Sequence, residues 1–170
     1  SKFILSHPIA GNEKSGFLNS SEDLFKDKIS IISKHNGLAI NTLKKCKELW
    51  FELGSETHNV DPKLHDEIFS LTSHLPHIVA FSLISLFSKR KTSVYKKYMG
   101  GGLKDFTRIA ESDPNMWENI FSLNKKNLLK DIREIEKELK KIKNFIVKDE
   151  ENKLEKHLKK IKKIKESLNR

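Results

Sequence analysis

Residues 61–87 read DPKLHDEIFSLTSHLPHIVAFSLISLF. Asp61 followed by Pro62 marks a helix start, with Asp as N-cap and Pro at the first helical position, where its missing N–H is harmless. Leu64, Ile68, Leu71 and Leu75 follow at the period of one helix face. Pro76 removes a backbone donor and is expected to kink the helix or restart it. Ile78 to Phe87 is nearly all apolar, which predicts burial on most sides.

Outward from this stretch the pattern stays helical downstream. Gly100-Gly101-Gly102 is a hard break. Ser112-Asp113-Pro114 repeats the capping signal and opens a helix through Trp117, Ile120, Phe121 and Leu123. Leu128, Ile132, Ile135, Leu139, Ile142 and Ile146 recur every three or four residues, and Leu154, Leu158, Ile161, Ile164 and Leu168 continue the stripe past a polar stretch at 148–152. Such stripes fit an antiparallel helical hairpin or a dimer seam. Upstream, a helix from about Asn41 to Leu53 stops at Gly54, and a short extended piece, Ser55 to Val60, follows. Residues 2–6 and 28–33 are β-like runs, separated by a loop rich in Gly, Asn and Ser. Two strands make no stable sheet alone, so they are expected to need partners from outside the chain.

The chain has 170 residues and a formal net charge of +10, and begins at Ser1 without a Met, as a piece of something longer would. Residues 1–124 hold 16 basic and 14 acidic side chains, and residues 125–170 hold 17 and 9, so the excess lies almost wholly in the last segment. Only four basic residues are Arg, and Phe145 is the one aromatic of that segment. Lysine interleaved with glutamate describes a solvated helix face better than a nucleic-acid reader, which favours Arg forks and aromatic platforms. No apolar run approaches the roughly 18 residues of a membrane helix, since Ser82 and Ser85 interrupt the longest. One cysteine, Cys46, excludes an internal disulfide and a Cys-based zinc cluster. These features predict a soluble, reduced, cytoplasmic protein with neither nucleic acid nor membrane as partner.

Three places can carry chemistry. His7 directly follows a β-like run beside Pro8, where α/β proteins place reactive groups, and an imidazole suits proton abstraction near neutrality. His74 and His77 are three apart, but Pro76 lies between them and no acid follows at metalloprotease spacing, so a pocket wall fits better than a metal site. Gly100 to Arg108 places a glycine run before Asp105 and Arg108, and Arg holds a carboxylate by two parallel bonds. No three glycines spell G-x-G-x-x-G, and no G-x-x-x-x-G-K-[ST] occurs, so the chain carries no phosphate cradle of either kind.

Four strings taken together resemble the prephenate dehydrogenase family: His7-Pro-Ile-Ala-Gly-Asn-Glu-Lys-Ser-Gly16, Asp61-Pro62-x-x-His65-Asp66, Ser73-His-Leu-Pro-His77, and Gly100-Gly-Gly-x-x-Asp-Phe-Thr-Arg-Ile-Ala110 with Ser112-Asp-Pro-x-Met-Trp117. The resemblance covers about residues 2–146. It implies a mostly α chain, an all-helical dimerisation domain at 36–170 preceded at 1–35 by the last strands of an incomplete Rossmann-type α/β domain that carry the catalytic-histidine loop. It implies NAD-dependent oxidative decarboxylation of prephenate to 4-hydroxyphenylpyruvate in tyrosine biosynthesis, and a homodimer through the helices. The family's catalytic histidine falls on His7 and its carboxylate-binding arginine on Arg108. Gly101 and Asp105 fall in the substrate loop, His77 on a substrate-pocket histidine, Glu13 on an acid at the entrance that pairs with that histidine, and Trp117 on a tryptophan reaching the neighbouring subunit's site.

The family's glycine fingerprint is missing here, as is the serine that orients the catalytic histidine. NAD or NADP would therefore be bound by a part of the protein outside this sequence, and these residues alone are expected not to turn over prephenate. Arogenate dehydrogenase shares the strings and is the close alternative. A non-catalytic helical interaction module with a basic tail is the alternative of a different class, in which replacing His7 or Arg108 would leave function intact.

Overall fold

The computed structural model describes residues 3–11, 20–33, 37–90 and 92–169. The chain forms two compact units, Ser1–Leu128 and Leu129–Arg170. The architecture is mostly helical with one small sheet, as the sequence predicts.

In the first unit the sheet has three strands in the order β1 (Leu5–Pro8), β2 (Ile29–Ser33), β3 (Glu56–Asn59). β1 pairs antiparallel with β2, and β2 parallel with β3. The extended piece after Gly54 thus supplies the third strand that was expected from outside the chain. Between β2 and β3 lies α1 (Ile40–Glu52), which turns back at Gly54 with φ +75°, a left-handed conformation natural to glycine. Buried hydroxyls join the parallel strands. Ser30 Oγ lies 2.8 Å from Ser55 Oγ, Ser55 Oγ donates to the Lys28 carbonyl (2.8 Å), and Ser33 Oγ donates to the Val60 carbonyl (2.9 Å). Ile31 and Ile32 of β2 are buried apolar residues of this sheet. Two ties hold the edge strand: Ile9 N donates to the Ile29 carbonyl at 2.7 Å, and Trp50 Nε1 donates to Ser6 Oγ at 2.7 Å.

The long helix starts where the sequence places it. Asp61 caps α2 (Pro62–Phe69), accepting from Lys63 N and Leu64 N. A π-turn over Ser70–His74 then leads into α3 (Leu75–Ser88), with Pro76 in its first turn. The physical cause is Pro76, which offers no N–H and crowds the carbonyl four residues back. A wider turn relieves that crowding. The helix therefore restarts without breaking and runs through Ser82 and Ser85, so that Pro62–Ser88 is long and apolar enough, by length and composition alone, to cross a membrane. Burial of 78–87 on most sides does not hold. Leu75 and Ala80 are buried in α3, whereas Leu86 is 52% exposed.

Short helical pieces follow: α4 (Thr92–Tyr95), a 3₁₀ turn Lys96–Tyr98, α5 (Gly101–Thr107) and a 3₁₀ turn Arg108–Glu111. The break falls at Met99 and Gly100, both extended, while Gly101 and Gly102 already belong to α5. Asp113 caps α6 (Pro114–Leu123) through Asn115 N and Met116 N, as its sequence predicts.

α7 (Lys125–Val147) carries the chain into the second unit. After a break at which Asp149 takes φ +53°, α8 (Glu151–Ser167) follows. α8 meets α7 through side chains: the Phe145 and His157 rings lie 5.9 Å apart, and His157 Nε2 lies 3.5 Å from Glu138 Oε2. Lysines pair with glutamates along each helix, as in Lys137 with Glu134 and Lys159 with Glu155. Such exposed pairs are worth little individually. Leu139, Ile164 and Leu168 stay exposed on this hairpin.

Gly54 tests the link between turn and sheet. A Cβ there would meet the Lys26 backbone at 3.3 Å in a conformation that L side chains rarely adopt. Gly54→Ala is expected to lower stability by about 1–2 kcal/mol, read as a lower denaturant midpoint at unchanged slope. An unchanged midpoint would contradict it.

Candidate active site

Four of the histidines gather because the sheet and the long helix deliver them to one place. His7 lies within β1, paired opposite Ile31, rather than in a loop after the strand. Its ring meets α2, where His65 and Phe69 stand one turn apart on a single face. The ring centroids of His7 and Phe69 are 4.7 Å apart, and those of His65 and Phe69 are 4.6 Å apart. His7 Nδ1 lies 2.8 Å from His65 Nε2, and His65 Nδ1 lies 3.0 Å from Asp66 Oδ1.

The helix presents His74 at the end of the π-turn and His77 just past it. His77 Nδ1 donates to the Ser73 carbonyl at 2.9 Å, which leaves Nε2 as an acceptor in the neutral ring. The Trp117 ring stacks on His77 with centroids 3.6 Å apart and planes 25° apart. Trp117 is buried, with its indole N–H unpartnered. Asn124, at the end of α6, donates to the Asp66 carbonyl at 2.7 Å and lies 3.2 Å from His74 Nδ1. Asn127 donates in turn to Asn124 Oδ1 at 2.9 Å.

One cleft of about 940 Å³ has His7, His65, His74, His77, Arg108 and Trp117 on its wall. Of the sequence-predicted residues, the structure brings together His7, His77, Arg108 and Trp117. Gly101 and Asp105 lie on α5 and are not on this wall. The glycine run opens α5, and none of its glycines takes a positive φ. Trp117 lines this cleft. Glu13 lies outside the described residues. His65, Asp66, Phe69 and Asn124 were given no role in the cleft from sequence. The spacing of His65 and Phe69 behind a capped helix start was the available signal.

The electrostatics favour neutral rings. Partial burial lowers the pKa of His7 below the ordinary 6.5, and a charge on His65 would lower it further. Burial also lowers His74, opposed by Asp66, and lowers His77, opposed by the bond to Ser73. Arg108 is the only permanent cation among the described lining residues and Asp66 the only carboxylate. A cleft of this kind suits an anionic ring compound: an acceptor imidazole at one wall, a guanidinium at another, and aromatic faces between. Among the described residues no three His, Cys, Asp or Glu side chains could hold a metal ion together. A dinucleotide's pyrophosphate needs a glycine-rich turn between strand and helix. Gly100 to Gly102 follow a 3₁₀ turn instead, so the described residues do not fit a dinucleotide.

Comparison with known proteins agrees with this chemistry. Residues 61–160 match the family model for the prephenate dehydrogenase dimerization domain. The chain is 31% identical over 169 residues to a prephenate dehydrogenase of Bacillus subtilis, covering 98% of this chain and 46% of that protein. It is 30% identical over 159 residues to a cyclohexadienyl dehydrogenase of Zymomonas mobilis, covering 92% and 54%. Among solved structures it is similar to prephenate dehydrogenase from A. aeolicus in complex with hydroxyphenyl propionate and NAD+, with a TM-score of 0.89, 41% identity, and coverage of 98% of this chain and 59% of that one. The chain thus spans about half the length of the curated relatives it matches. With its helical residues 61–160 matching that model, the chain belongs to the prephenate dehydrogenase family.

Proposed function

We propose that this chain is the substrate-binding and dimer-forming part of a cytoplasmic prephenate dehydrogenase, which oxidises and decarboxylates prephenate to 4-hydroxyphenylpyruvate. The observation that carries this is the meeting of His7, His77, Arg108 and Trp117 on one cleft of a family member. NAD, bound by a part of the protein outside these residues, supplies the hydride acceptor. The chain's own residues do the rest. Arg108 holds a substrate carboxylate by its fork of donors. His7, kept neutral, accepts the proton of the ring hydroxyl. His77 offers Nε2 to a polar group of the side chain, and Trp117 fixes the His77 ring by stacking on it. Carbon dioxide leaves because the ring becomes aromatic, so neither a metal nor a covalent nucleophile is required. Substrate-binding roles are assigned also to Gly101 and Asp105, on α5, and to Glu13.

We draw the boundary of the sheet-bearing part at Val60, later than residue 35, because β3 pairs with β2 and the family match begins at residue 61. The exposed apolar face of Pro62–Ser88 is assigned to a subunit interface and not to a membrane. The same helix puts His65, Asp66, His74 and His77 on the cleft wall. This face and the matched dimerization domain support a homodimer. Sedimentation at micromolar concentration should give a dimer, and Leu86→Asp should weaken it by roughly tenfold or more by burying an unpaired charge. A monomeric parent chain would overturn this assignment.

The reaction is tested in the protein that includes its nucleotide-binding part. His7→Asn should lower kcat by roughly 100-fold or more, as loss of a general base does. Arg108→Gln should raise KM for prephenate by on the order of 100-fold, the loss of a charge-assisted bidentate contact. The 170-residue chain alone should form no NADH. Wild-type kinetics in either variant, or turnover by the chain alone, would contradict the proposal.

The pH dependence has a defined sign. A base with a lowered pKa stays unprotonated further into acid, so the acid limb of kcat/KM should lie below the ordinary imidazole value of 6.5. A limb above that value would contradict neutral His7.

A further inference from the structure

His7 does not stand alone in the cleft, and the two groups behind it form a chain. Val60 N still bonds to the Ile32 carbonyl at 3.1 Å, and Asp61 caps the helix at the next residue. His65 and Asp66 therefore sit in the first turns of α2, directly against β1. From His7 the contacts run His7 Nδ1 to His65 Nε2 at 2.8 Å and His65 Nδ1 to Asp66 Oδ1 at 3.0 Å. An ionised carboxylate only accepts, so the hydrogen at the second contact belongs to His65 Nδ1. A neutral His65 then has a bare Nε2, and the hydrogen at the first contact belongs to His7 Nδ1. His7 is left with a bare Nε2, the nitrogen that a proton acceptor needs.

We infer that His65 and Asp66 are positioning residues, which lock His7 in the Nδ1–H tautomer and receive its positive charge when it takes a proton. This rests on His7 being the proton acceptor of the proposed reaction. The step balances as a proton relay. The substrate O–H bond breaks as N–H forms at His7 Nε2, and the His7 Nδ1–H proton crosses to His65 Nε2. The charge ends on His65, whose Nδ1–H faces Asp66. Phe69 lies against both imidazoles, with ring centroids 4.7 Å from His7 and 4.6 Å from His65.

The tautomer can be read without substrate or cofactor. Long-range proton–nitrogen NMR on the ¹⁵N-labelled 170-residue chain distinguishes bare from protonated ring nitrogens. His7 is expected to show a protonated Nδ1 and a bare Nε2 at mildly alkaline pH. In H65F, which keeps a ring but no nitrogens, and in D66A, the tautomer ratio should move toward Nε2–H by on the order of tenfold, with amide spectra showing the fold intact. Asp66 is 54% exposed, so D66A disturbs little packing. A wild-type His7 with hydrogen on Nε2, or a ratio unchanged in both variants, would overturn the inference. Wild-type Nδ1–H that is lost in the variants would sustain it even if the longer protein failed to oxidise prephenate, so the two readings can fail separately.

Discussion

Everything in the cleft depends on one junction between sheet and helix. Val60 is held to β2 by its backbone N–H, and Asp61 caps the helix that begins with Pro62. The cap contributes about 1 kcal/mol, but its geometric effect is larger. With no slack between the last ladder bond and the first helical turn, the azimuth of α2 is set by the sheet. His65 then meets His7 at 2.8 Å, although the two are 58 residues apart in sequence.

The second constraint is the π-turn. An unbroken α-helix from Pro62 would carry His65 and His77 to different faces, since twelve residues are not a whole number of turns. The wide turn at Ser70–His74 inserts the extra residue that brings His77 back to the cleft. Pro76 is the sequence feature behind it, and π-turns are frequent at functional sites. Asn124 then ties the two halves of the helix together, bonding the Asp66 carbonyl and facing His74.

Much of this was legible in the residues. Both Asp-Pro helix starts, the stop at Gly54 and the long stripes through α7 and α8 depend on local chemistry and lie close to their expected places. The family strings located His7, His77, Arg108 and Trp117, which the fold then brought to one wall. What was not legible depends on pairing between distant segments. Nothing local in ETHN marks it as a sheet strand, since its partner is β2. His7 reads as a loop residue because Pro8 follows it, yet Pro8 is tolerated on an edge strand. The glycine run reads as a ligand loop because three glycines permit many conformations, but here Gly100 is extended and Gly101 and Gly102 are helical. The exposed α3 face reads as core because hydropathy does not distinguish a protein's interior from a surface that a partner covers.

The proposed site would bind an anionic ring compound between Arg108 and the His77–Trp117 stack. It is tested most directly by titrating the chain with hydroxyphenyl propionate, the compound bound in the similar A. aeolicus structure, while following the NMR signals of the Trp117 indole N–H and the His77 ring. Saturable shifts of both signals, lost in Arg108→Gln, are the predicted result. Signals that stay unmoved, or that shift equally without the guanidinium, would contradict the account.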